Sequence, residues 1–324
     1  MRSRPAKFTL NRNEKVIEAG GELAFVEWIR GRTTYGSGVQ IGIGDDAAVL
    51  TVGKQTLVYT TDILLEGAHF DLKRTTPQQV GWKAMACSIS DVAAMGCSPT
   101  FAVCSAGLPR KGSPGLAKQL YLGLEKCART YEVSLVGGDT TSHDGGLVIS
   151  VAMLGEPQGK CRPLLRSGAK VGDAIMVTGS LGGSLLGRHL RIKPRVDEAL
   201  ELNATCRIHS MIDLSDGLSL DLYRICQMSH VGAVLRESTI PISSAARKQA
   251  KMTGKKPVDH ALSDGEDFEL LFTCTRKEAE RIMGRPPCGT RVAMIGRIAS
   301  DGYLLEKKNG DAVPIMPQGW EHQF

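Results

Sequence analysis

The sequence predicts a mixed α/β (α+β) protein of two domains, and three observations carry that prediction. A chain of 324 residues exceeds what one ordinary core organises and suits two. Helical and strand-like periods mix in both halves. Around Gly155–Leu165 the apolar patterning gives way to Pro, Gly and Lys, a loop signature. The expected division is therefore an N-terminal extension (1–20), a first domain (21–157) and a second (158–324).

A first helix is expected near Gly21-Glu22, because Leu23, Phe25, Val26 and Ile29 share one face at helical spacing. Two β-type runs follow, Ala47–Val52 and Thr56–Thr61. Gln79–Met95 reads as a long helix, with Pro77 just before it and Gly96 closing it. Next come a strand at Thr100–Ala106, a helix at Pro114–Tyr131, a strand at Ser134–Val136 and a β-branched run at Leu147–Leu154. The second half restarts with a strand at Asp173–Thr178 and a Gly-rich turn, Gly179–Gly183, opening a helix. A helix at Leu218–Met228 and strands at Ala233–Glu237, Glu269–Thr273 and Val292–Ile295 complete the pattern.

Composition narrows the function. Hydrophobic residues at 42% and charged residues at 23% suit a soluble globular protein. No apolar run approaches the ~20 residues that cross a bilayer, so no membrane role is expected. The net charge of +6 is scattered apart from a thin cluster at the start (Arg2, Arg4, Lys7, Arg12, Lys15). Without a basic stripe interleaved with aromatics, nucleic acid is not an expected partner. The nine cysteines are singletons with no zinc spacing, which points to reduced thiols in a cytoplasmic protein.

The most informative feature is where the aspartates fall. Gly44-Asp45-Asp46 precedes one strand, and Thr60-Thr61-Asp62 ends the next. Ser90-Asp91 lies inside an apolar helix, Gly137-Gly138-Asp139-Thr140 follows an apolar strand, and Asp213-Leu214-Ser215-Asp216-Gly217 sits in the second half. A single such site reads as a turn or cap, and Asp213–Gly217 could be capping the helix that begins at Leu218. Five of them, one in mid-helix, read as an all-oxygen ligand set, because buried carboxylates need compensation and magnesium prefers such donors. Gly137-Gly138, Gly179–Gly183 and Arg166-Ser167-Gly168 could turn backbone amides toward phosphate. No GxxxxGK[ST] or protein-kinase signature occurs. Gly42-Ile43-Gly44 lacks the third glycine of a dinucleotide fingerprint, which weighs against a Rossmann dehydrogenase.

Taken in order, the motifs resemble those of the thiamine-monophosphate kinase family. They are Gly42-Ile43-Gly44-Asp45-Asp46-Ala47-Ala48, Thr61-Asp62 with Glu66–Phe70, Ser90–Gly96, Gly137–Thr140, Arg166–Ala169, Asp213–Leu218 and Gly265–Leu270. The resemblance implies transfer of the ATP γ-phosphate to thiamine monophosphate, with several magnesium ions. It also implies a fold like that of aminoimidazole-ribonucleotide synthetase: an N-terminal domain whose sheet forms a homodimer, and a C-terminal α/β domain. By motif position, Asp46, Thr60, Thr61, Asp62, Asp91, Asp139, Asp213 and Asp216 would hold magnesium. Tyr121, Gly138, Asp139, Arg166 and Ser215 would contact ATP, while His69, Glu266 and Trp320 would address thiamine monophosphate. Asp46, Asp62, Asp91, Asp139 and Asp213 would be the catalytic carboxylates. Ser88 departs from the Asn frequent there, so local hydrogen bonding is expected to differ. Two alternatives stand beside this reading: another ATP-dependent enzyme of the same superfamily, and a catalytically silent nucleotide-binding regulator on that fold. Intact aspartates weigh against the silent one.

Overall fold

The computed structural model describes residues 21–113 and 115–322. The expected N-terminal extension and the expected helix start at Pro114 lie outside the described residues.

The first half is a six-stranded sheet with two helices on one face. Its elements are α1 (Glu22–Arg32), β1 (Val39–Ile41), β2 (Ala48–Val52), β3 (Gln55–Leu65), α2 (Pro77–Ala94), β4 (Ser98–Pro109), α3 (Leu116–Thr130), β5 (Ser134–His143) and β6 (Val148–Glu156). The sheet order is β1-β2-β3-β6-β4-β5. All neighbours run antiparallel except β4 and β5, which are parallel and need the crossover that α3 supplies.

Helix α2 is the spine of the molecule. Thr76 caps its start in a capping box with Gln79, Pro77 takes the first turn, and thirteen of its residues are buried. It packs on β3, β4 and β6 below, on α3 beside it, and on β8 and α4 of the second half. The contact with α3 is backbone to backbone: a Cβ on Gly81 would lie 2.1 Å from the Leu120 carbonyl oxygen, and one on Gly123 would lie 2.0 Å from that of Gln78.

The second half contains β7 (Ala174–Thr178), α4 (Val196–Thr205), β8 (Ile208–Asp213), α5 (Leu218–Ser229), β9 (Gly232–Arg236), α6 (Ser244–Thr253) and α7 (Pro257–Ser263). It ends with β10 (Leu270–Cys274), α8 (Arg276–Gly284), β11 (Val292–Ala299), β12 (Tyr303–Glu306) and β13 (Ala312–Pro314). The seven strands are ordered β13-β12-β9-β11-β7-β10-β8. Strand alternation separates two cores. Ala174, Met176, Met211 and Phe272 face the core shared with α2, whereas Ile175, Val177, Ile212 and Leu271 face a second core with α5 and α7.

Three local expectations change. Gly137–Thr140 does not follow a strand but lies within β5, which continues to His143. The helix expected after Gly179–Gly183 is instead two short 3₁₀ turns, Ser184–Leu186 and Arg188–Leu190, separated by Gly187 at φ +125°. Asp213 does not cap α5. Gly217 is the N-cap, and the Asp221 carboxylate accepts the Asp216 and Gly217 amides at 3.1 and 3.0 Å.

Candidate active site

Three carboxylates from distant segments meet where α2 touches β8. Asp46 arrives on the loop before β2, Asp91 from the last turn of α2, and Asp213 from the end of β8; one oxygen of each lies within 4.8 Å of the others. Asp46 is 6% exposed and Asp213 2%. Burial, reinforced by the charges of Asp62, Asp213 and Asp46, pushes the Asp91 carboxyl well above its ordinary range. Burial and then the Asp46 charge do the same to Asp213. Like charges confined this way raise one another's proton affinity.

Each carboxylate has a side-chain donor. Thr60 Oγ1 donates to Asp91 at 2.8 Å, Ser90 Oγ to Asp213 at 2.5 Å, and Arg166 to Asp46 through Nη2 at 2.7 Å and Nε at 3.2 Å. The second oxygen of Asp46, Oδ2, is buried without a hydrogen-bond partner. An orphaned buried acceptor among three carboxylates is costly as it stands, and such an oxygen set fits a hard divalent cation. Asp62 flanks the cluster and accepts Ser88 Oγ at 2.7 Å. Asp216 is tied to Arg224 at 2.6 Å, and its charge reaches both Asp62 and His69.

Thr61 and Asp139 are not brought into this group. The pleat turns Thr61 to the opposite face of β3 from Thr60 and Asp62, where its hydroxyl lies 3.4 Å from Ser150. Asp139 shares the register row of Ile63, Ser150 and Ser105; it is exposed and accepts the neighbouring Thr140 amide at 2.8 Å.

On the helix-facing side, another row runs Asp62–Val151–Cys104–Gly138. Three strand spacings separate its ends by about 14 Å. At the far end, a cavity of about 460 Å³ opens between β4, β5 and α3. Leu108, Leu120, Tyr121 and Leu135 give it apolar walls, and Gly138 and Asp139 border it. Gly138 is required here, because a Cβ would fall 1.8 Å from the Cys104 carbonyl oxygen. Size and lining suit a planar ring.

His69, Glu266 and Trp320 form a second group, joined through Lys83 and His322. His69 Nδ1 accepts the Leu65 amide at 3.1 Å; burial, and then the charges of Lys83 and His322, lower its pKa. Trp320 is 51% exposed and its ring meets His322 edge-on at 5.9 Å, and His322 lies 5.3 Å from His69. The tail is held in place at both sides. Trp320 N–H donates to the Asp216 carbonyl at 3.0 Å, and residue 322 exchanges bonds with Glu22 at the start of α1. Lys83, Asp221, Arg224 and His322 escaped the sequence reading. Lys83 carried the same signal as Asp91, a charge inside an apolar helix.

Known proteins resemble this chain along most of its length. A family model described as AIR synthase related protein, N-terminal domain, matches residues 44–156. The thiamine-monophosphate kinase of Rhodopirellula baltica is 41% identical over 310 residues, covering 93% of this chain and 97% of the relative. The solved structure of AaThiL complexed with AMPPCP and TMP superposes with a TM-score of 0.81 at 29% identity, covering 98% of this chain and all of that one. The crystal structure of thiamine-monophosphate kinase from Stenotrophomonas maltophilia K279a gives a TM-score of 0.69 at 34% identity, with 89% and 96% covered. With this degree of identity along nearly its whole length, the chain belongs to the thiamine-monophosphate kinase family, within the superfamily of aminoimidazole-ribonucleotide synthetase.

Proposed function

We propose that this chain transfers the γ-phosphate of ATP directly to thiamine monophosphate, giving thiamine diphosphate and ADP, with magnesium held by its carboxylates. Full-length similarity to the kinases supports the reaction, and the meeting of Asp46, Asp91 and Asp213 is the single observation that carries the metal requirement. Asp46, Asp91 and Asp213 would hold magnesium, with Thr60, Asp62 and Asp216 around them. Thr61 and Asp139 are left out of that set because of the face they occupy. Bound magnesium supplies charge neutralisation between two polyanions and polarises the transferred group.

The rest falls to the chain's own side chains. The apolar cavity beside Tyr121 and Gly138 takes the base of ATP, which points the phosphates along the row toward Asp62. Arg166, already beside Asp46, offsets anionic charge with a fixed fork of donors, and Ser215 offers a hydroxyl between Asp213 and Asp216. His69, Glu266 and Trp320 receive thiamine monophosphate from the other side, with the half-exposed indole free to stack on a ring. The acceptor is itself a phosphate, largely ionised near neutral pH, so no dedicated general base is required; alignment does most of the work.

We further propose a cytoplasmic homodimer whose subunits divide between residues 157 and 158. All nine cysteines are free thiols, which suits a reducing compartment. Among the described residues no helix is long and apolar enough to cross a membrane. The sheet face away from α2 exposes Tyr59, Ile63, Leu65, Phe101 and Val103, a patch that asks for a partner. Purified protein incubated with ATP, magnesium and thiamine monophosphate should form thiamine diphosphate, resolved by chromatography, and chelation should stop it. Brisk turnover of another acceptor with none of this one would overturn the substrate assignment.

A further inference from the structure

One buried cation has no part in the reaction as derived so far. Lys83 is 1% exposed, and a charge withdrawn that far from water persists only when well paired. Its Nζ donates to the His69 carbonyl oxygen at 2.8 Å and to Glu266 Oε1 at 2.7 Å, and stands 2.6 Å from Oε2. Both partners belong to the group proposed to receive the acceptor. Lys83 also lies eight residues before Asp91 on α2, about 80° around and about 12 Å along the axis. One helix therefore carries a carboxylate toward the metal cluster and an ammonium toward the acceptor group.

Glu266 is not held there by its own backbone preference. It sits at φ +57°, in the left-handed region that non-glycine residues enter only when the surroundings impose it. Its amide donates to the Ser215 carbonyl at 2.6 Å, and its side chain is 20% exposed. The Lys83–Glu266 pair joins residues 183 apart in sequence, one from each half. Glu266 Oε1 accepts from Lys83 and keeps a second lone pair, while Oε2 is buried without a hydrogen-bond partner, so the carboxylate is oriented and still able to accept.

We propose that Lys83 is a positioning residue for the acceptor: it aims the Glu266 carboxylate at the organic portion of thiamine monophosphate. That portion carries an exocyclic amine and a thiazolium cation, and each is complemented by an oriented carboxylate. The proposal rests on the reading of Glu266 as an acceptor contact. It locates the effect of Lys83 in acceptor binding and leaves ATP binding and phosphoryl transfer untouched, because orientation of one recognition group contributes to affinity through preorganisation.

Steady-state kinetics of Lys83→Gln, Glu266→Gln and the double variant test it, with calorimetric binding of thiamine monophosphate as a second readout. In Lys83→Gln the KM for thiamine monophosphate should rise about 10- to 100-fold, the range of a charge-assisted hydrogen bond. The KM for ATP and kcat should stay within about twofold. The double variant should be no worse than Glu266→Gln alone, because coupled partners are not additive. Fully additive losses, an unchanged acceptor KM, or a fall in kcat with weakened ATP binding would each overturn the assignment. Glu266→Gln keeps volume and buried surroundings, so a normal acceptor KM in that variant overturns it even if Lys83 variants fail to fold. Absence of turnover by the unaltered protein would instead overturn the substrate reading itself, and the two failures are distinguished by that control.

Discussion

Ser90 Oγ donates to the Asp213 carboxylate at 2.5 Å, across 123 residues of sequence and between the two halves of the chain. Ser90 is the residue before Asp91, so one turn of α2 both contributes a carboxylate and supports another. Ser90→Ala should leave a 2%-exposed carboxylate without that hydroxyl donor. The expected loss is about 1–3 kcal/mol in urea unfolding. A loss below about 0.5 kcal/mol would mean that Asp213 finds another partner by small shifts.

Asp91→Asn separates function from stability. The side chain is nearly isosteric, and Asn removes one charge from a group that repels itself. In the presence of a chelator the thermal midpoint should hold or rise, since burial and neighbouring carboxylates disfavour the charged form. Turnover with magnesium should fall by at least about 100-fold, as loss of a metal-supporting group commonly does. Near-normal rates with unchanged magnesium dependence would remove Asp91 from the site.

Much of this was legible in the sequence because the aspartates interrupt apolar periods. Asp91 inside Ile89–Met95 and Asp213 after Met211-Ile212 are misplaced by any pattern of burial alone, and both reached the cluster. Side-chain facing was harder to read. Thr60 and Thr61 are adjacent, yet the pleat sends one to Asp91 and the other to the open face. Asp139 was expected in a turn and instead lies within β5, where alternation governs it. Lys83 interrupts the apolar helix just as Asp91 does, but as a lone cation outside the series of aspartates it suggested no ligand set. Of the four helices not foreseen, α4, α6, α7 and α8, α6 buries only Ala246 and Ala250 and α8 only Ala279 and Ile282, too few apolar residues to reveal a helical period.

Gly138→Ala probes the ring-shaped cavity. Its added Cβ would fall 1.8 Å from a backbone oxygen of β4, a contact no side-chain rotation relieves. The strand β5 must move, at a cost of about 1–3 kcal/mol. Because Tyr121 lines the other wall, ATP affinity should drop together with stability, while binding of thiamine monophosphate at the group of His69, Glu266 and Trp320 persists. Calorimetry with each ligand separately checks this asymmetry.

His69 sets a pH dependence of defined sign. Its folded pKa lies below 6.5, through burial, Lys83 and His322 in that order. Below the unfolded value, the unfolded chain therefore binds the proton more readily. Stability is lost as pH falls from about 6.5 toward the folded pKa, and is regained on raising it. His69→Asn, whose amide oxygen can still accept the Leu65 N–H, should flatten this part of the profile. Thermal midpoints of both proteins at about pH 7.5 and about pH 5.5 give the comparison; an equal decline in both would show that His69 does not contribute.

The open sheet face gives the last prediction. Tyr59, Leu154 and Phe101 form one register row across β3, β6 and β4, and Ile63 begins another with Ser150 and Ser105. Ile63 is 56% exposed and lies on the side of the sheet away from α2. Ile63→Lys adds a charge to the middle of this patch without touching the core. In a homodimer joined here, two such charges would face a closed apolar interface and require desolvation with no partner. Sedimentation should show the parent protein as a dimer and Ile63→Lys as a monomer with an unchanged circular dichroism spectrum. A parent that sediments as an active monomer would mean that this face is covered by something other than a second copy.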